Sequence, residues 1–157
     1  MTQGIHQIYE LKLLHHQANE LLVHMCKELP GLSDKEPENG NVFKAIINAV
    51  KKGIPEFVTA ILEASPELVW SMEQPSTRNL FMLAVLHRQN EVFRRLYCKF
   101  SAKNSILIQA DKNFNTILHI AAMFDSSARR NNVRGAAFLM QREVQWYKVI
   151  SHFIISG

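Results

Sequence analysis

The feature that most constrains this chain is a worn internal repeat. Ala49-Val50-Lys51-Lys52-Gly53-Ile54-Pro55-Glu56-Phe57-Val58 aligns with Ala84-Val85-Leu86-His87-Arg88-Gln89-Asn90-Glu91-Val92-Phe93 at an offset of 35 residues. The Ala-Val pair, the break that follows it and the glutamates Glu56 and Glu91 fall in register. A third copy opens at Thr116-Ile117-Leu118-His119-Ile120-Ala121-Ala122, with Ala121 lying 37 residues after Ala84. Recurrence at such a period marks a stacked array, in which one helical hairpin cannot bury its apolar face alone and neighbours must cover it.

The third copy is the most specific. Ankyrin repeats run about 33 residues and carry a Thr-Pro-Leu-His-x-Ala signature. Thr116–Ala121 matches it at five of six positions. Each position has a physical task. Thr116 caps the helix by accepting from an orphan N–H, Leu118 fills the gap between units, His119 hydrogen-bonds across the turn, and Ala121 and Ala122 let helices approach closely. Asn79-Leu80-Phe81-Met82-Leu83-Ala84 keeps the sizes but lacks Thr and His, and Lys44-Ala45-Ile46-Ile47-Asn48-Ala49 keeps less.

Hydrophobic periodicity agrees with helices. Ile8, Leu11, Ala18, Leu21, Leu22, Met25 and Leu29 recur at spacings of three and four, which predicts an amphipathic helix stopped by Pro30-Gly31. Residues 31–41 read as a polar linker. Further helices are predicted at Val42–Lys52, Glu56–Glu63, Phe81–Arg88, Glu91–Phe100, from Ile117 to Phe124, and from Gly135 to Phe153. Ile106-Leu107-Ile108 is the one strand-like run. The expected fold is all-α: an ankyrin-type α-solenoid of stacked hairpins, about three degenerate repeats, with an N-terminal helix (1–30), the linker (31–41) and a repeat region closed by a long capping helix (42–157). Trp146, Tyr147, Ile150 and Phe153 are expected to cover the end of the stack.

Composition narrows the function. At 157 residues, one domain is expected, and a hydrophobic fraction of 47% with 20% charged residues is ordinary for a globular chain. A mean hydropathy of −0.09 and the lack of a long apolar run argue against a membrane span, so a cytoplasmic chain is expected, also at the cytosolic face of the plasma membrane. The net charge of +4 permits but does not demand an anionic partner. Cys26 and Cys98 have no metal or redox spacing and read as two buried thiols. His15, His16 and His24 lack the convergence that a zinc site needs. There is no phosphate loop, dinucleotide fingerprint or nucleophile elbow, and Cys98 has no histidine near it in sequence to serve as a base. No catalytic residue, cofactor or metal is therefore expected.

Three stretches resemble the plant ankyrin-repeat membrane proteins that end in a Pro-Gly-Gly-type domain, the accelerated-cell-death-like family. They are Ile8–Leu13 with Gln17–Leu22, Arg78–Gln89, and Gly135–Lys148. The resemblance implies further repeats before this region and a multi-pass membrane domain after it, so the chain looks like a truncated member. It also implies a setting in plant defence, cell death or salt-stress signalling. Where the family pattern has Gly, this chain has Phe114. Such a Gly takes positive φ, which a bulky residue resists, so either Asn115 takes the unusual conformation or the finger is strained.

The expected activity is a non-enzymatic protein–protein interaction module; the alternative is a regulatory cytosolic fragment of a membrane-associated ankyrin protein. Binding is expected on the concave side, through Arg78, Asn79, His87, Arg88, Asp111, Lys112, Asn113 and Met123. The expected partner is a protein, related ankyrin proteins included. Nucleic acid is not expected, for want of charge and interleaved aromatics. Membrane contact is expected only indirectly or through Arg129, Arg130 and Arg134, the basic cluster that Arg142 extends.

Overall fold

The computed structural model describes residues 2–28, 36–100, 104–123 and 135–156. These form eight α-helices: α1 (Thr2–Glu28), α2 (Glu36–Lys52), α3 (Pro55–Ala64), α4 (Leu80–Leu86), α5 (Asn90–Phe100), α6 (Asn104–Leu107), α7 (Ile117–Ala122) and α8 (Ala136–Ser156). A 3-10 turn at Pro66–Trp70 follows α3. The described residues contain no strand, only an isolated antiparallel bridge between Glu73 and Arg78. The fold is all-α.

The helices pair and stack. α2 turns into α3 and α4 into α5, and each pair packs as a hairpin. α4 lies between α2 and α7 in one layer, while α3 packs on α5 in a second. α7 packs on α8, whose Phe153 ring meets Phe93 and Tyr97 of α5 at centroid distances of 5.7 and 4.9 Å. The Tyr97 hydroxyl donates to the Phe153 carbonyl at 2.8 Å. One continuous core results, with Ile46 and Val50 of α2, Ile61 and Leu62 of α3, Leu80–Val85 of α4, Phe93 and Leu96 of α5, Ile117 and Ile120 of α7 and Ile150 of α8 all but sealed from solvent. Ala84, in the middle of the central helix, is fully buried. A larger side chain there would prise neighbouring layers apart.

The two hairpin turns are the same turn. In the first, Gly53 N–H donates to the Val50 carbonyl and Ile54 N–H to Ala49; in the second, Arg88 N–H donates to Val85 and Gln89 N–H to Ala84. Gly53 has φ +70 and Arg88 φ +57, the left-handed conformation that closes a helix C-terminus. Gly fits this without cost, whereas Arg88 adopts it because its side chain is held elsewhere. The turns are also latched together: Gln89 Nε2 donates to the Lys51 carbonyl at 3.0 Å, and a Cβ on Gly53 would come within 2.2 Å of Gln89 Oε1.

Three sequence expectations change. The helix expected from Val42 begins at Glu36, so the second half of the expected 31–41 linker is helical. Pro37 falls in the first turn, where its missing N–H is harmless, and Glu36 and Glu38 suit a helix N-terminus. The strand-like Ile106-Leu107-Ile108 is instead the end of the four-residue α6 and the turn after it, with Leu107 buried and Ile108 exposed. Along α1 the expected apolar face exists, but among its described side chains only Leu22 and Cys26 pack on the core, while Ile8, Leu11, Leu21 and Met25 stay exposed.

Candidate contact surface

Two loops, the fingers, precede the short helices α4 and α7. Each closes on a backbone pair: Glu73 N–H to the Arg78 carbonyl at 2.8 Å, and Asp111 N–H to the Asn115 carbonyl at 2.9 Å. Each holds one residue at positive φ two positions before the helix cap, Thr77 at +55 and Phe114 at +60. Phe114 itself therefore takes the glycine-like conformation, and Asn115 does not. Its ring is 86% exposed, so no packing holds it there.

Asp111 holds the second finger instead. It is 4% exposed, and its Oδ1 accepts from Asn113 N–H at 2.8 Å, Asn115 N–H at 3.0 Å and Asn115 Nδ2 at 3.1 Å. Oδ2 accepts from Arg78 Nε at 3.2 Å. Burial alone would push this carboxyl up; the bonds from Asn115, Asn113 and Arg78 outweigh it and hold it below its ordinary value. Glu73 does the same in the first finger. Burial is overridden by hydrogen bonds from Lys51 (2.7 Å) and Ser76 (2.9 Å) and by the charges of Lys51 and Arg78, so its carboxyl also sits low. The fingers are joined by Lys112 N–H to the Ser76 carbonyl at 3.3 Å and by Asn79 Nδ2 to Gln109 Oε1 at 3.1 Å.

The helix caps correspond as well. Asn79 Oδ1 accepts from Met82 N–H at 2.9 Å, capping α4. At α7, Thr116 and His119 form a capping box. His119 Nδ1 accepts from Thr116 N–H at 3.2 Å and lies 2.8 Å from its hydroxyl, so Nδ1 carries no proton in that bond. The signature histidine thus acts within its own helix start. Ala121 is buried and Leu118 half-buried, while Ala122 is exposed at the edge of a groove.

Arg88 is the main polar junction beyond the fingers. Nε and Nη2 reach Glu143 Oε2 of α8 at 3.0 and 2.5 Å, Nη1 reaches the Val85 carbonyl at 3.0 Å, and Nη2 also bonds the Met123 carbonyl that ends α7. The guanidinium stands 5.9 Å from the Trp146 ring centroid. One side chain therefore ties together α4, α7 and α8.

Several residues expected to contact a partner are bonded within the chain itself. Asn79 and Asp111 are buried in caps and turns, and Arg78 and Arg88 are engaged in ion pairs that shield them. The loops use Asn79 and Asp111 to bond their own backbone. His87, at the C-cap of α4, and Met123 are half-buried. Lys112 and Asn113 remain exposed at the second fingertip, beside Phe114, with Gln74 and Pro75 exposed on the first. Arg129, Arg130 and Arg134 lie outside the described residues.

Two further expectations are corrected. Cys98 is exposed, because α5 turns Val92, Phe93 and Leu96 inward and Glu91, Arg94 and Cys98 outward. Cys26 is half-buried, and burial together with Glu63 pushes its thiol up. At the end of the stack Ile150 is sealed and Trp146 and Phe153 are half-covered, but Tyr147 turns away from the core. It lines a groove of about 630 Å³ between α7 and α8 with Ala122, Leu139, Met140 and Val144. Among the described residues, no group of three or more His, Cys, Asp or Glu is placed to hold a metal ion, and no helix is long and apolar enough to cross a membrane.

No family model, curated protein or solved structure matches this chain.

Proposed function

We propose that the chain is a degenerate ankyrin-type solenoid and acts as a non-enzymatic protein-interaction module whose contact surface is the row of fingertips. The observation that carries this reading is the recurrence of one hairpin turn at Gly53 and Arg88, followed by one finger geometry at Thr77 and Phe114. Stacked units of this kind present an extended surface of loop tips and inner helices, and their partners are proteins. Lys112, Asn113 and Phe114 offer a cation, an amide and an unsupported aromatic ring at one tip. Aromatic rings such as that of Phe114 are enriched at interfaces relative to the rest of a protein surface. The sequence resemblance supplies the setting, plant defence or stress signalling.

Affinity capture from plant extract, comparing the wild-type chain with a Lys112→Glu/Asn113→Ala/Phe114→Gly variant, tests it. All three side chains are exposed, so circular dichroism should report an unchanged fold. Partners captured by the wild type should be lost with the variant. Equal capture by both would remove the fingertip from the contact surface, and turnover of a substrate by the purified chain would remove the non-enzymatic reading.

A further inference from the structure

Charge is sorted by layer among the described side chains. In the second layer, α3 and α5 carry Glu56, Glu63, Glu91, Arg94, Arg95 and Lys99, and each of them is ion-paired with another of the six. That layer is neutral. Helix α2 from Asn41 onward and the two fingers (71–79 and 108–115) are different. Their two acids, Glu73 and Asp111, are largely shielded and already paired, with Lys51 and Arg78. Three further cations, Lys44, Lys52 and Lys112, are exposed and form no ion pair among the described residues.

These cations share one surface. Lys44, Asn48 and Lys52 follow at spacings of four along α2 and stay exposed, while Ile46, Ile47 and Val50 turn to the core. Lys51 borders that exposed face, and its ammonium reaches Glu73 of the first finger at 2.7 Å. The first finger in turn meets the second, where Lys112 N–H donates to the Ser76 carbonyl. A continuous surface thus runs from Lys44 through Lys52 and the first finger to the tip at Lys112, and its exposed described charges are all positive.

We infer, resting on the fingertip surface proposed above, that the protein segment bound there is acidic: several Asp or Glu side chains lie across α2 and the fingers, opposite the three lysines. Charge complementarity of this kind steers encounter and rejects partners of like charge. The one arginine of this surface, Arg78, is taken up by Asp111, so no free guanidinium is left for two-point recognition of phosphate. With Phe114 as its one exposed aromatic ring, the surface also lacks the stacking platform of a nucleic-acid track.

Phage display of short random peptides against the whole chain tests this. Selected peptides should be enriched in Asp and Glu. One of them, titrated by fluorescence anisotropy, should bind about tenfold more weakly to a Lys44→Gln/Lys52→Gln/Lys112→Gln variant, and added salt should narrow that gap. The three side chains are exposed and unpaired, so circular dichroism should report an unchanged fold. Neutral or basic peptides whose binding is lost with Phe114→Gly but kept by the lysine variant would overturn the acidic partner and leave the fingertip surface standing. Acidic peptides indifferent to the lysine variant would overturn it too, and peptides indifferent to both variants, or no selected peptide at all, would remove the fingertip surface with it. Tighter binding of single-stranded RNA or phosphatidylserine vesicles through the same lysines would also overturn it, because the surface would then serve phosphate.

Discussion

Asp111 shows how much of a loop can rest on one carboxylate. It accepts five hydrogen bonds within its own finger and from the neighbouring one. Its carboxyl is held low, so its contribution to stability is complete above the unfolded value near 3.9 and is lost as pH falls through that value toward the folded one. Glu73 carries the same sign. Asp111→Asn keeps an acceptor but removes the charge opposite Arg78. It should lower stability by about 1–2 kcal/mol at neutral pH, and urea melts at pH 7 and pH 3 should show the gap from wild type narrowing in acid. A gap that widened in acid would mean that the carboxylate is not the stabilising form. Thr116 was legible as a cap from the signature it opens, whereas His119, expected to bond across the turn, bonds back to Thr116. Asp111 was not legible, because a loop aspartate looks the same in sequence whether it faces solvent or its own backbone.

Helices and their joints were largely readable, since a period of 3.6 survives in most of them. Linkages between elements were not. Arg88 reads in sequence as the last residue of a helix, open to a partner on the concave side, yet it pairs with Glu143, 55 residues away. Nothing local announces such a pair. Its side chains are 13% and 15% exposed, and removal of Arg88 leaves the shielded Glu143 with only the longer contact to Arg142, at 3.5 Å. Arg88→Ala should cost about 3 kcal/mol, and a double-mutant cycle with Glu143→Gln should recover much of that as coupling. Additive losses would mean that Arg88 acts through its carbonyl bonds to Val85 and Met123 alone. The second half of the expected linker is helical for a related reason: Asn39-Gly40 signals a break, but acidic residues around Pro37 start a helix as readily as they fill a loop.

At the scale of the molecule, the layers share a single core and are cross-tied at three levels. Fingers are joined by Lys112 and Arg78, hairpin turns by Gln89, and second-layer helices by Arg95 to Glu56 (2.9 Å) and Lys99 to Glu63. The described hairpins should therefore unfold together. Ala84→Leu, at the centre of the shared layer, should lower stability by about 1–3 kcal/mol and shift every spectroscopic probe equally; two separated transitions would show that the hairpins melt singly. The chain supplies those probes itself. Its two tryptophans sit at opposite ends of the stack, Trp70 in the turn after the first hairpin and 41% exposed, Trp146 in the last helix with its indole N–H buried and without a hydrogen-bond partner among the described residues. Trp70 should emit at longer wavelength than Trp146. Fluorescence can thus be separated into two colours, one for each end, and the order in which the ends let go becomes a measurement on the unlabelled protein.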